Sequence, residues 1–187
     1  MPITKLDPNT CLIVIDLQKG IVALPLGHPI GDVVRRAGAL AEAFRRHGLP
    51  VVLVNVTGVP PGRTEQSRFR AEFPSDFADF VPELRPQPGD HVVSKQTAGA
   101  FTRTGLEAYL KSRNVTQVVV GGVATSMGVE STARQAHELG FNVTLAVDAM
   151  TDLDTELHAV TIAKVFPRLG ERGTTQEIIG LLDAGYA

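Results

Sequence analysis

Five runs of aliphatic, mostly β-branched residues recur along the chain, and helix-patterned segments fall between most of them. The first, Cys11–Leu17 (CLIVIDL), is unbroken and contains an acid at its far end. A continuous run of this kind fits a strand buried on both faces, as in a parallel sheet, rather than one with a wet side. Pro50–Val56, His91–Ser94, Val115–Val120 and Phe141–Val147 read the same way, with a weaker sixth run near Leu169–Arg172. Between them, Asp32–His47 carries Val33, Ala37, Leu40, Ala41 and Phe44 on one helical stripe and closes at Gly48. Thr104 and Glu107, and again Thr174 and Glu177, have capping-box spacing at predicted helix starts. Thr155–Phe166 is also helix-patterned. Strands alternating with helices predict a parallel sheet covered on both faces, an α/β fold.

The 187 residues suit one domain spanning 1–187, with no internal repeat or linker. Thr57–Asp90 is the exception to the alternation. It carries six prolines and no sustained period, the mark of a functional excursion. Eighteen basic against twenty acidic residues give a net charge of −2, which argues against a nucleic-acid partner. A single cysteine excludes an internal disulfide. No apolar run reaches bilayer length, so no membrane partner is expected. The opening MPITKLDPNT has no signal-peptide core, and a cytoplasmic protein is the expectation.

In open parallel sheets ligands bind beyond the carboxyl ends of the strands, at the switch point. The strands deliver there Asp16-Leu17-Gln18, Asn55-Val56-Thr57, Ser94-Lys95-Gln96, the segment Gly121–Gly128, and Asp148. Burial would raise the pKa of Asp16 and a nearby Lys95 would lower it, the balance that tunes an acid–base group. The bland alternatives are a capping Asp and a solvated Lys. Gly122–Gly128 enters a helix, whose first amides can bind an oxyanion, or it is simply a tight turn. No P-loop is present, and no Gly-x-Gly-x-x-Gly follows the first strand.

Four pieces, in order along nearly the whole chain, resemble the isochorismatase-like hydrolases, the cysteine hydrolase family. They are CLIVIDLQ, KQTAGAF (Lys95–Phe101), GGVATSMGVESTARQAHELGF (Gly121–Phe141) and VTLAVDAMTD (Val143–Asp152). The resemblance implies a three-layer Rossmann-like fold with a roughly six-stranded parallel sheet, assembled as a homodimer or higher homo-oligomer. It makes Asp16 the acid–base and Lys95 the catalytic lysine. It implies a cis peptide between Val123 and Ala124, with the Ala124 and Gly128 amides facing a small-molecule substrate, and Gln18 and Phe101 among its contacts. The nucleophilic Cys of the family falls at Gly128. Amidases of the family need that thiolate. True isochorismatases lack a nucleophilic Cys there, and in them the Asp protonates an enolpyruvyl ether. Cys11 begins the first strand, at the end opposite Asp16, and reads as a small buried hydrophobe.

No cofactor is expected, and no metal either. The region beyond the second strand, NVTGVPPGRTEQ, lacks the histidines of metal-binding relatives. Arg63, Arg68 and Arg70 would hold a carboxylate or form a solvated basic surface; Phe69 would line a pocket or the core. Two rival functions remain in the sequence. Ser126 lies on a degenerate nucleophile elbow, with Asp148 and His158 following in triad order, although His158 falls inside a helical pattern. The second rival is a catalytically altered small-molecule binder on the same fold.

Overall fold

The computed structural model describes residues 2–65 and 73–185. Its six strands form one parallel sheet in the order β3-β2-β1-β4-β5-β6. They are β1 (Thr10–Ile15), β2 (Val51–Val56), β3 (His91–Lys95), β4 (Gln117–Val123), β5 (Asn142–Thr151) and β6 (Glu171–Gly173). The helices are α1 (Lys19–Val22), α2 (Ile30–Arg46), α3 (Leu106–Ser112), α4 (Glu130–Glu138), α5 (Thr155–Val160) and α6 (Thr175–Gly185). The α/β expectation is met, strand by strand.

The unbroken apolar run of β1 has the reason anticipated for it. Leu12 and Val14 pack against α2 and α6 in one layer of core, while Cys11, Ile13 and Ile15 pack with α3 and α4 in the other. At about 25 cal/mol per Å² of apolar surface, filling both layers is what holds the sheet in its central position. β1 pairs with β2 on one side and β4 on the other, Ile15 lying opposite Val54 and Gly122. The chain order reverses there, so the crevice lies between the carboxyl ends of β1 and β4.

Two local expectations are corrected. Asp148 does not end β5; the strand runs on to Thr151. The register slips between Val120 and Gly122, which face Leu145 and Met150. The extra residues bulge out of the ladder and turn Asp148 away from the crevice. Its Oδ1 accepts from the Thr175 N–H (2.7 Å) and Oγ1 (2.9 Å) at the start of α6, and Arg36 Nε lies 3.4 Å from Oδ2. The Thr104–Glu107 box does not form. Gly105, at φ 76°, turns the chain into α3, and the Glu107 carboxylate bonds Lys111 instead. The Thr174–Glu177 box does form, with the Thr174 N–H donating to Glu177 Oε2 at 2.7 Å and the Glu177 N–H donating to Thr174 Oγ1 at 3.2 Å.

The excursion is pinned at its far end. Residues Leu17–Gly20 bond the stretch Phe77–Val81 through Lys19 N–H to Asp79 O (2.8 Å), Gly20 N–H to Phe77 O (3.0 Å) and Val81 N–H to Leu17 O (3.2 Å). Arg45 of α2 closes on the buried Asp90 carboxylate at 2.6 Å. No helix among the described residues is long and apolar enough to cross a membrane.

Candidate active site

Asp16 is the residue directly after β1, at φ 50°, with its N–H donating to Val54 O (2.9 Å). That left-handed turn carries the carboxylate off the strand's alternation. Lys95 ends β3, two strands away, with β2 between. The Lys95 ammonium nevertheless donates to Asp16 Oδ2 at 2.7 Å, reaching across the end of β2. Both residues are buried, Asp16 at 5% and Lys95 at 3% exposure. Lys95 also donates to Thr97 O at 3.2 Å, which fixes its head group.

Burial pushes the Asp16 carboxyl up to about 6, and the charge and hydrogen bond of Lys95 only partly offset that rise. An acid at that value exchanges its proton near neutral pH. Asp16 Oδ1 is buried and has no hydrogen-bond partner among the described residues. It is the oxygen left for a ligand.

The third part is Gly128. A Cβ added there would stand 3.3 Å from Asp16 Oδ2, 3.1 Å from Val123 O and 2.9 Å from Ile15 Cγ2. The position the resemblance gives to a nucleophile is therefore beside Asp16, and it carries no side chain. Gly128 belongs to a π-helical turn, Thr125–Val129, that leads into α4; such turns gather at functional sites. The Val123–Ala124 peptide bond before it is cis. Val123 is buried and Ala124 is half-buried, both on the α2 side of the sheet.

The turn is held from several sides. Asp152 Oδ2 accepts from the Ser126 N–H (2.7 Å) and Oγ (2.8 Å), Thr132 Oγ1 donates to Gly128 O (2.7 Å), and Thr125 Oγ1 lies 2.8 Å from His158 Nδ1. Sequence reasoning missed Asp152. Its signal was the pair of acids just before α5: Asp154 caps that helix, accepting from the Glu156 and Leu157 N–H groups, and Asp152 caps the neighbouring turn.

The same bonds dissolve the serine triad. Ser126 is engaged with Asp152, His158 with Thr125, and Asp148 with Thr175 and Arg36. Gln18 is likewise not free for substrate. It is fully buried, its Nε2 donates to Val56 O (2.9 Å) and Phe77 O (3.0 Å), and its Oε1 accepts from the Val56 N–H (2.7 Å). Phe101 is half-buried and packs on Phe141, ring centroids 6.1 Å apart. Cys11 is fully buried at the amino end of β1, and burial pushes its thiol pKa far up. Folded wild-type protein should therefore show no fast-reacting thiol with a disulfide reagent, and one per chain after unfolding. A fast thiol in the folded state would contradict this placement. Arg63 is exposed; Phe69, Arg68 and Arg70 lie outside the described residues. Among the described residues no group of three or more His, Cys, Asp or Glu is placed to hold a metal ion.

A buried Asp–Lys pair that spans the end of β2 beside the switch point of a 321456 parallel sheet, next to a turn entering a helix, defines a class of α/β hydrolytic sites. Residues 10–177 match the family model described as the isochorismatase domain, and the chain belongs to the isochorismatase family of hydrolases. It is 40% identical over 178 residues to an isochorismatase family protein of Bacillus subtilis, covering 91% of this chain and 93% of the relative. A solved isochorismatase family structure from Burkholderia thailandensis superposes with a TM-score of 0.92 at 36% identity, covering 96% of this chain and 98% of that one. More distantly, the maleamate amidohydrolase of Pseudomonas putida is 29% identical over 178 residues, covering 89% and 83%.

Proposed function

We propose that the protein hydrolyses a small molecule by general acid–base catalysis at Asp16, without a covalent intermediate, and that the substrate is isochorismate or a similar enolpyruvyl ether. The observation that carries this reading is the buried Asp16–Lys95 pair set against a glycine where a nucleophile would stand. An amidase route through an acyl-enzyme needs a side chain that Gly128 does not have.

Protonated Asp16 donates its proton to the methylene carbon of the enolpyruvyl group, which becomes a methyl. The ether oxygen's lone pair forms the oxocarbenium ion. Water adds to the ether-bearing carbon of that ion and returns a proton to the Asp16 carboxylate. The resulting hemiketal collapses to an alcohol and pyruvate. Lys95 orients the carboxylate through Oδ2 and steadies its charged form between the two transfers.

The test is pyruvate release from isochorismate by purified protein, followed by lactate dehydrogenase coupling. Turnover lost in Asp16→Asn supports the reading; no turnover by the wild type removes this substrate. In that event Gly128→Cys, assayed on an amide panel, asks whether an amidase site survives. Its Cβ must first displace Ile15 Cγ2, now 2.9 Å away, so a fall of a few degrees in Tm is expected from this variant. An unchanged Tm would show that Ile15 gives way without cost. Assembly as a homodimer or higher oligomer, implied by the resemblance, is checked by light scattering on the eluting protein.

A further inference from the structure

We infer that His28 and His158 form an anion subsite on the far wall of the same crevice, taking a carboxylate of the substrate; this rests on the reading of the site given above. The two rings lie with centroids 4.5 Å apart, tilted by 49°. His28 comes from the loop between α1 and α2, His158 from α5. Each presses one ring nitrogen onto a fully buried threonine hydroxyl. His28 Nδ1 is 2.9 Å from Thr151 Oγ1 and His158 Nδ1 is 2.8 Å from Thr125 Oγ1. Both histidines are only half-buried, and with each Nδ1 set on its threonine the ring nitrogen left for a ligand is Nε2. Neither Nε2 has a hydrogen-bond partner among the described residues.

The placement matters as much as the chemistry. Thr151 ends β5, and Thr125 follows Ala124 at the end of β4, three residues before Gly128. The pair therefore stands on the β4–β5 side of the switch point, while Asp16 and Lys95 stand on the β1–β3 side. A substrate in the crevice lies between them. When each threonine donates to Nδ1, both imidazoles carry their proton on Nε2, giving two adjacent donors for the two oxygens of one carboxylate. Burial and the neighbouring ring hold His158 below the usual imidazole range, while the Asp152 carboxylate opposes that shift. Asp152 is itself fully engaged, by Ser126, Leu153 and Asp154. A bound carboxylate favours proton uptake by the pair, and the contact then becomes charge-assisted. Lys95 cannot serve this second anion freely, because it is committed to Asp16 and Thr97 O.

The probe is pyruvate, with neutral pyruvamide as its isostere, titrated into the full chain while the histidine Cε1–H resonances are followed by NMR. Pyruvate is expected to shift both His28 and His158 and to raise their titration midpoints; pyruvamide is expected to leave them in place. In His28→Asn and His158→Asn the amide stands in for Nδ1 on the threonine, but nothing replaces Nε2. Each should weaken pyruvate binding about tenfold, and raise KM for the anionic substrate similarly with kcat little changed. Silent histidines, equal shifts with pyruvamide, or unchanged pyruvate affinity in the Asn variants would each overturn the subsite. The wild-type titration stands even if a variant fails to fold. Asp16→Asn should keep the pyruvate response, so the two readings fail separately: turnover with silent histidines sinks the subsite alone, and responding histidines without turnover sink the reaction alone.

Discussion

Asp16→Asn should reduce turnover by about 10²- to 10⁴-fold, the usual worth of a positioned general acid–base. The amide keeps the shape and burial but has no proton to give carbon and no charge to accept one from water. The wild-type pH profile provides the second readout. Asp16 titrates near 6, so a step that needs its acid form falls away as pH rises through that value. Stability follows the same sign. A carboxyl whose folded pKa lies above its unfolded value of about 3.9 is disfavoured in the fold once ionised. Its contribution is complete below about 4 and is lost as pH climbs through about 6. Asp16→Asn should flatten that part of the stability curve. It also leaves the Lys95 ammonium buried without its counter-ion, so melting at neutral pH should fall, and adding Lys95→Met should restore much of the loss. A double variant as unstable as the single one would show that the ion pair is not what the single change disrupts.

The largest loss of stability is expected from Gly122→Ala. Gly122 sits at φ 120°, a conformation closed to side chains. A Cβ there would overlap the Ile15 carbonyl oxygen and lie 2.7 Å from the Ile15 nitrogen. Both are main-chain atoms of β1, so neither can swing aside. Relief requires prising β4 from β1 at the point where the sheet opens to the crevice. A cost above about 4 kcal/mol is expected, in the range where a domain of this size fails to accumulate folded. Gly48→Ala is a useful contrast: it also has positive φ but nothing lies within 4 Å of its Cβ, so only the backbone term applies, about 1 kcal/mol. Equal effects at the two positions in urea unfolding would refute the role given to the close approach.

Much of this was legible because apolar runs obey burial. β1, β2, β3 and α2 could be placed from their apolar runs and stripe alone, and with β1 and β3 came Asp16 and Lys95, because a strand's end is where its apolar run stops. The pairing of Asp16 with Lys95 across β2 was foreseeable only as a tendency of strand ends to converge. What was hidden depended on contacts distant in sequence. The slip in β5 left VTLAVDAMT looking like a strand that ended at its acid, whereas the partner of Asp148 is a helix start 27 residues on. Gln18 read as a ligand contact through the resemblance, which sets it beside Asp16 after the strand. Its true partners are backbone atoms 38 and 59 residues away, which no local pattern announces. Thr104 and Glu107 had the right spacing, but Gly105 between them turns the chain, and the Thr104 hydroxyl accepts from the Leu106 N–H rather than from Glu107.

The bonding of Gln18 has a consequence for how such a protein can diverge. Its side chain grips Val56 N–H, Val56 O and Phe77 O, all of them main-chain groups. Such a clasp is blind to the side chains of the segment it holds. The excursion can be rewritten by mutation, lengthened or re-lined, while its root stays fixed to β2 and the acid–lysine pair keeps its spacing. The placing of the acid–lysine pair is thereby uncoupled from the sequence of the loop, one inherited in the sheet and the other free to drift.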